Sequence, residues 1–438
     1  MRIQDWWQRT RESFWFVPLV YLVSSFILAQ GMIALDTALP KNFSSPWTAW
    51  VYRVGIDGSR SMLSAISTSM LAVAATAFSI TISVVVTASA TYGPRLVGNF
   101  MSDRGNQNVL GVFVATFLYS LLVLRTISSA DETQGLPAFI PHLAVNLAVL
   151  LAVADAVVLV WFIHHIATSV RVETLAHGVR ENFRHVVDRM HPEETTEDVV
   201  HNESLQIGGG LVKSGTVGFI SSIDFSGLCS VAESHDAVVE VIPRVGDHVL
   251  PHEPIVRVWP ASKVEDITSA VQRHVRVGDS RSAWQDVRYA EQQVLELAVR
   301  ALSPGTNDPY TAVNSIEEVA TGITIAVSRP TPGNTMLKKG TARVRYGIVG
   351  LNEIVDMPFD QIRPYALDHV MVLTALIDLG VRIEAASIHD SVDDRVRRNV
   401  EVLMEDLRAS DPNPHDLRQV EAHLEERRAD LARAEDAG

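Results

Sequence analysis

Asp155 stands alone in an otherwise apolar run from His142 to Ile163. A carboxyl at such a position has to be protonated, paired, or turned toward protein or water, so it reads either as a structural hydrogen-bonding group or as an ion or proton site. By helical rise, Thr116 and Ser83 fall at a similar depth. A second pattern is a stripe of small and hydroxyl residues: Ala65, Ser69, Ala72, Thr76, Ser79, Ser83, Thr87 and Ala90. Steps of three and four place them on one helical face. Two readings stay open for this stripe. Small residues let backbones approach in lipid, which gives a close helix-helix seam, and the same hydroxyls could form the polar wall of a water-filled path at an oligomer axis. The third pattern is Ser303, Thr306, Asn307 and Asp308 before Pro309. Asp308 with Pro309 is a helix cap followed by the residue favoured at the first helical position. The same helix start could present donors to an anion, which the charge of Asp308 would oppose.

No other residue set spells a reaction. The patterns G-x-S-x-G and H-E-x-x-H are absent, and Cys229 is the only cysteine, which excludes an intrachain disulfide and a multi-cysteine zinc site. Lys213 and Ser214 precede Gly215 where a phosphate loop would have them follow a glycine. His248 and His252 are separated by Pro251 in a turn context, which removes the one-face geometry of a helical metal pair. The expectation is a protein that is not an enzyme, with no cofactor and no metal.

These residues need elements to hold them, and hydropathy supplies the elements. Phe14 to Leu35 is a run of 22 residues without a charge, and Met62 to Ala90 is another of 29. At about 1.5 Å per residue the first crosses a hydrocarbon core of about 30 Å, and the second must tilt or project beyond it. Asn108 to Ile127 is apolar up to Arg125, and His142 to Ile163 is the fourth span. Arg2, Arg9 and Arg11, then Arg95 and Arg104, then Arg171, Arg180, Arg184 and Arg189 flank one side of these spans, while Asp131 to Pro141 contains no Lys or Arg. This bias places both termini in the cytoplasm of an inner-membrane protein. Lys41, Arg53 and Arg60 in the first outer loop run against the rule, whereas Trp47, Trp50 and Tyr52 there look like interfacial anchors.

Charge divides the chain as hydropathy does. Through His165 there are nine Lys or Arg against eight Asp or Glu; the remainder carries 28 against 43, and the whole chain has net charge −14. An acidic portion of that size excludes a nucleic-acid duplex as the main partner. The expected fold is an α-helical membrane domain of four spans (1–165), a connecting helix and linker (166–207), a small β-barrel or sandwich (208–260), a helical unit (261–409) and a charged C-terminal helix (410–438). Strands are expected at Thr216 to Ile223, Ala237 to Ile242 and Ile255 to Trp259, and helices at Trp284 to Ala301, Pro309 to Val327, Ile362 to Leu379 and Ser391 to Ala409, with a loop from Ser328 to Gly340. Leu417, Val420, Leu424 and Leu431 form an apolar seam that Arg427 interrupts.

Two stretches carry a resemblance. Tyr92, Gly93, Pro94, Arg95 and Leu96, followed by Asn99, Phe100 and Asp103, together with the run from Leu302 to Ala312, resemble the bacterial membrane-protein family designated domain of unknown function 2254, over nearly the whole chain. The resemblance implies an inner-membrane protein and supplies no reaction, ligand or catalytic residue. Taken with the stripe and Asp155, the expected activity is that of a homo-oligomeric ion channel or transport-like protein in the lipid bilayer, with a cytoplasmic domain for assembly or gating. The alternative is a membrane-anchored scaffold or sensor that binds a protein or small ligand.

Overall fold

A computed structural model describes residues 15–38, 55–93, 103–128, 139–169, 172–194, 198–201 and 208–437. Trp47, Trp50, Tyr52, Lys41, Arg53 and the motif residues from Pro94 to Phe100 lie outside them. The chain forms two compact units, 1–174 and 175–438.

The first unit holds four helices long and apolar enough to cross a membrane: α1 (Phe16–Ala38), α2 (Ile56–Tyr92), α3 (Arg104–Thr126) and α4 (His142–Ser169). At 37 residues α2 is the longest, rising about 55 Å if straight. The most buried is α3, which packs against the other three. Gly111 permits the approach of α1, since a Cβ there would lie 2.6 Å from Cδ2 of Tyr21. At one end of the bundle the Asp36 carboxylate accepts hydrogen bonds from the backbone N–H groups of Leu143 (3.0 Å) and Ala144 (2.9 Å), satisfying donors that the first turn of α4 leaves open. At the same end Arg60 donates to the carbonyl of Ile127 (3.0 Å), closing the C-terminus of α3. Arg60 thus has a local partner that loop-charge counting does not see. At the opposite end Asp103 caps α3 through the N–H of Gly105 (2.8 Å) and meets His165 Nε2 at 2.7 Å, with the His165 ring stacked on Trp161.

The second unit begins within α5 (Val172–Met190) and combines sheets with helices. Its strands are β1 (Val199–Val200), β2 (Gly210–Lys213), β3 (Gly218–Ile223), β4 (Val238–Val241), β5 (His248–Val249), β6 (Pro254–Trp259), β7 (Val275–Gly278), β8 (Thr335–Lys338) and β9 (Thr341–Tyr346). Six of them form a sheet in the order β1-β8-β9-β4-β6-β2, antiparallel except for the β4–β9 pair; β5-β3-β7 form a second. Neither closes into a barrel. Two helices lie between strands, α6 (Phe225–Ser234) and α7 (Val264–His274), and Leu228, Ile267 and Val271 from them join Ile220, Val239, Val258 and Val344 in one core. The sheet recruits β1, β8 and β9 from outside residues 208–260, and the segment read as a loop from Ser328 to Gly340 contains β8. A four-residue strand bounded by Pro332, Gly333 and Gly340 is too short to show alternation.

The helical part consists of α8 (Val287–Ala301), α9 (Pro309–Val327), α10 (Leu351–Ala366), α11 (Val370–Ala386), α12 (Asp390–Ala409) and α13 (Pro414–Ala437). The single helix expected from Ile362 to Leu379 is two, because the chain turns at Leu367 to His369. Pro358 and Pro364 sit inside α10, where each forfeits a backbone hydrogen bond and conceals the helix from a breaker-based reading. Arg427, which interrupts the apolar seam of α13, pairs with Asp378 of α11 at 2.7 Å.

Candidate functional site

The stripe on α2 faces outward. Ala65, Ser69, Ala72, Thr76, Ser79, Ser83, Thr87 and Ala90 are all exposed on the single chain. The helix buries a different face against its neighbours: Ser59, Leu63, Ser67, Ala74, Ala77, Thr81 and Ala88. Within one chain, therefore, the seam belongs to the second face and the hydroxyl stripe is left over. Thr76 and Thr87 turn their hydroxyls onto the carbonyls of Ala72 and Ser83, each at 2.9 Å, the usual way a helix satisfies such groups in an apolar setting.

Asp155 lies inside the bundle. It is 1% exposed, and neither carboxylate oxygen has a hydrogen-bond partner among the described residues. The Thr116 hydroxyl, on α3 and buried as well, approaches the carboxyl without closing a hydrogen bond that meets ordinary geometry. Two apolar clusters bracket this level. One contains Leu63, Tyr119, Val123 and Ala148, with Leu151 against it; the other contains Ala74, Phe113 and Phe162, with Met70 and Val158 against it. Between them Ser67, Thr116 and Asp155 interrupt the apolar packing, and Ser120 stands one turn away within the first cluster. The α2 residue at the depth of Asp155 is thus Ser67, and not Ser83, which lies about 24 Å further along the helix. Tilt and offset between helices are set by packing and cannot be counted from span ends.

Among the described residues of the first unit, three unpartnered buried polar groups besides Asp155 went unread in the sequence. Asn106 has both amide atoms unpartnered, and the hydroxyls of Ser120 and Ser59 are unpartnered as well. A signal for two of them existed: Asn106, Val109, Phe113, Thr116, Ser120 and Val123 recur at three and four along α3, and all are buried.

In the second unit Asp308 caps α9, accepting from the N–H of Thr311 (3.1 Å) and from its hydroxyl (2.6 Å). These bonds, the side-chain one foremost, hold its carboxyl below the usual range. Ser303 is turned inward on its own loop, donating to the carbonyl of Arg300 (2.7 Å) and approaching the Thr306 hydroxyl (3.3 Å), while Asn307 takes a left-handed conformation, φ 47°. The loop is thereby built from its own hydrogen bonds. Glu291 on α8 is fully buried with both oxygens unpartnered, and burial pushes its carboxyl well above the ordinary value. His191, buried and near Arg329, is held down at about 4, chiefly by burial. An open cleft of about 920 Å³ is lined by Phe219, His248, Arg281, Arg288, Gln292 and Gln361, among others. Its arginines are committed, Arg281 to Asp286 and Arg288 to Asp247.

The four apolar helices are the feature that comparison with known proteins decides. A family profile described as "Predicted membrane protein (DUF2254)" matches residues 11–380. The chain belongs to the DUF2254 family. Uncharacterized proteins of Mycobacterium bovis and Mycobacterium tuberculosis are similar to it, each 29% identical over 328 residues. That alignment covers 73% of this chain and 62% of each relative, so this DUF2254 chain spans less than two thirds of their length. No solved structure matches it.

Proposed function

We propose that this DUF2254 protein is a homo-oligomer in the inner membrane, with both termini in the cytoplasm, that passes an ion or small solute. The exposed face of α2 lines the route, and the second unit serves assembly or gating. What carries this reading is the contrast between exposed faces. Both α1 and α4 turn large apolar groups outward, Val23, Phe26 and Ile27 on one and Val153, Val157 and Val160 on the other, as lipid contact favours. On α2 Leu71, Phe78, Ile80 and Val86 are outward as well, but beside them runs one stripe that exposes alanine, serine and threonine alone. Lipid tails gain nothing from such a face, whereas a second copy can approach it closely, and an aqueous path can be bounded by it. Closed symmetry about an axis next to α2 would bring the stripes of all copies together. Neither an enzyme reaction nor nucleic-acid binding enters this proposal.

The test combines accessibility with transport. In a Cys229→Ser background, Thr76→Cys and Ser83→Cys should react with small water-soluble thiol reagents in liposomes faster than Val84→Cys, and modification should change ion flux. Protection of both cysteines together with no flux from a well-folded oligomer would overturn the channel reading. The scaffold or sensor reading would then lead, supported by the cleft beside Phe219 and Arg281, which suits a small polar ligand better than a strong anion because its arginines are already neutralised.

A further inference from the structure

We infer that Asp155 is a proton-binding site at the centre of each protomer, held in a polar layer inside the α2, α3 and α4 packing and separate from the exposed face of α2. The inference rests on reading the four helices as membrane spans. It does not depend on the route along α2.

Asp155 is 1% exposed, and its two oxygens close no hydrogen bond of ordinary geometry among the described residues, the Thr116 hydroxyl being the one donor that approaches them. An ionised carboxylate so placed would lose its hydration and gain neither a cation nor a pair of hydrogen bonds, which is the costliest arrangement a side chain can adopt. The neutral acid removes most of that cost. It also needs only one acceptor for its proton, and the Thr116 hydroxyl beside it can rotate to supply one.

The groups that might have neutralised the carboxylate are elsewhere. Packed around Asp155, α1 carries Tyr21 and Asp36, α2 carries Asp57 and Arg60, and α3 carries Arg104, Tyr119 and Arg125; on α4 itself stand His142, His164 and His165. Arg60 and Asp36 are bonded at one end of the bundle, and His165 to Asp103 at the other. Tyr119 spends its hydroxyl on the carbonyl of Ala144 at 3.0 Å. At the level of Asp155 the neighbouring helices contribute Ser67 and Thr116, and no cation among the described residues.

Further buried polar groups lie on both sides, within or beyond the apolar clusters. Ser120 lies one turn from Thr116 toward the Asp36 end, and Ser59 of α2 is near that end. Asn106 lies on the same α3 face toward the Asp103 end, beyond Phe113. All three are buried with unpartnered polar atoms. No polar side chain on α1 is left in this state among the described residues, since Ser25 donates to the carbonyl of Ala115 at 2.6 Å. Within the first unit, the unpartnered polar atoms among the described residues therefore lie on α2, α3 and α4 and not on α1. A one-carboxylate site also fits a proton better than a divalent cation, which would need several further oxygen ligands.

Infrared spectroscopy of the full-length protein in liposomes tests this directly. At neutral pH the wild type should show the carbonyl stretch of a protonated carboxyl that shifts in heavy water, is lost in Asp155→Asn, and moves in Thr116→Val. A spectrum that Asp155→Asn leaves unchanged in this region would overturn the proposal. So would melting that rises with sodium, but not with choline, at fixed pH in the wild type and not in Asp155→Asn, because that result marks a metal cation in place of a proton. If Asp155→Asn does not fold, the Thr116→Val shift still decides, because Thr116 touches this carboxyl and not that of Glu291. Absence of flux with the carboxyl band intact defeats the α2 route alone.

Discussion

Glu291 is fully buried with both oxygens unpartnered, so the neutral acid is the favoured form, and that preference has a measurable sign. Its folded carboxyl titrates well above the ordinary value of 4.5 because burial penalises the charge. Between those two values the folded chain holds a proton that the unfolded chain has released. The contribution to stability is then complete below about pH 4.5 and is lost as pH rises toward the folded value. Glu291→Gln should flatten this decline. The measurement is the melting temperature of the purified full-length protein across the acidic to mildly alkaline range, wild type against variant. An equal slope in both would show that Glu291 is ionised in the folded state, with a partner that the structure does not give it.

At the scale of elements, α5 is held to α9 by a close contact that allows one strong prediction. Phe183 is fully buried, and its ring lies against Gly322, where an added Cβ would stand 2.3 Å from Cε1. Gly322→Ala should cost about 1–3 kcal/mol through overpacking, and Phe183→Ala about 3–5 kcal/mol through the cavity it leaves. Thermal or denaturant melting of the two variants checks both figures, and a neutral Gly322→Ala would mean that α5 can lift from α9 at little cost. How visible such elements were in the sequence follows from how they announce themselves. Pro309 to Val327 was legible to the residue because Asp308 and Pro309 mark its start and its apolar period is sustained. The four long apolar helices were legible because lipid-length runs need no partner to be recognised. Helix α6 was not, since ten residues with Gly227 and three serines carry little helical propensity and are held by packing of Leu228 and Ala232. The stripe on α2 was visible as a face, but which of two small-residue faces the helix buries depends on α3 and α4. Asp155 was conspicuous from composition alone. Its lack of a partner was not, because that is a property of neighbours brought together from three helices.

For the molecule as a whole, the proposed orientation places reporters fused at Met1 and Gly438 in the cytoplasm and one inserted near Gln134 outside. A periplasmic C-terminus would reverse the assignment and with it the side on which the acidic second unit works. The β4–β9 pair then has a consequence in time. It aligns Val239 with Val344 and Val241 with Tyr346, about one hundred residues apart in the chain, and everything from β5 to β8 lies between. At about 5–20 residues per second of synthesis, β4 waits roughly 5–20 s for the strand that completes it. Through that interval one of its edges, flanked by Val238, Val239 and Val241, is an open template for any other extended segment. A ribosome translating this message therefore carries an open strand edge late, after the apolar helices have emerged.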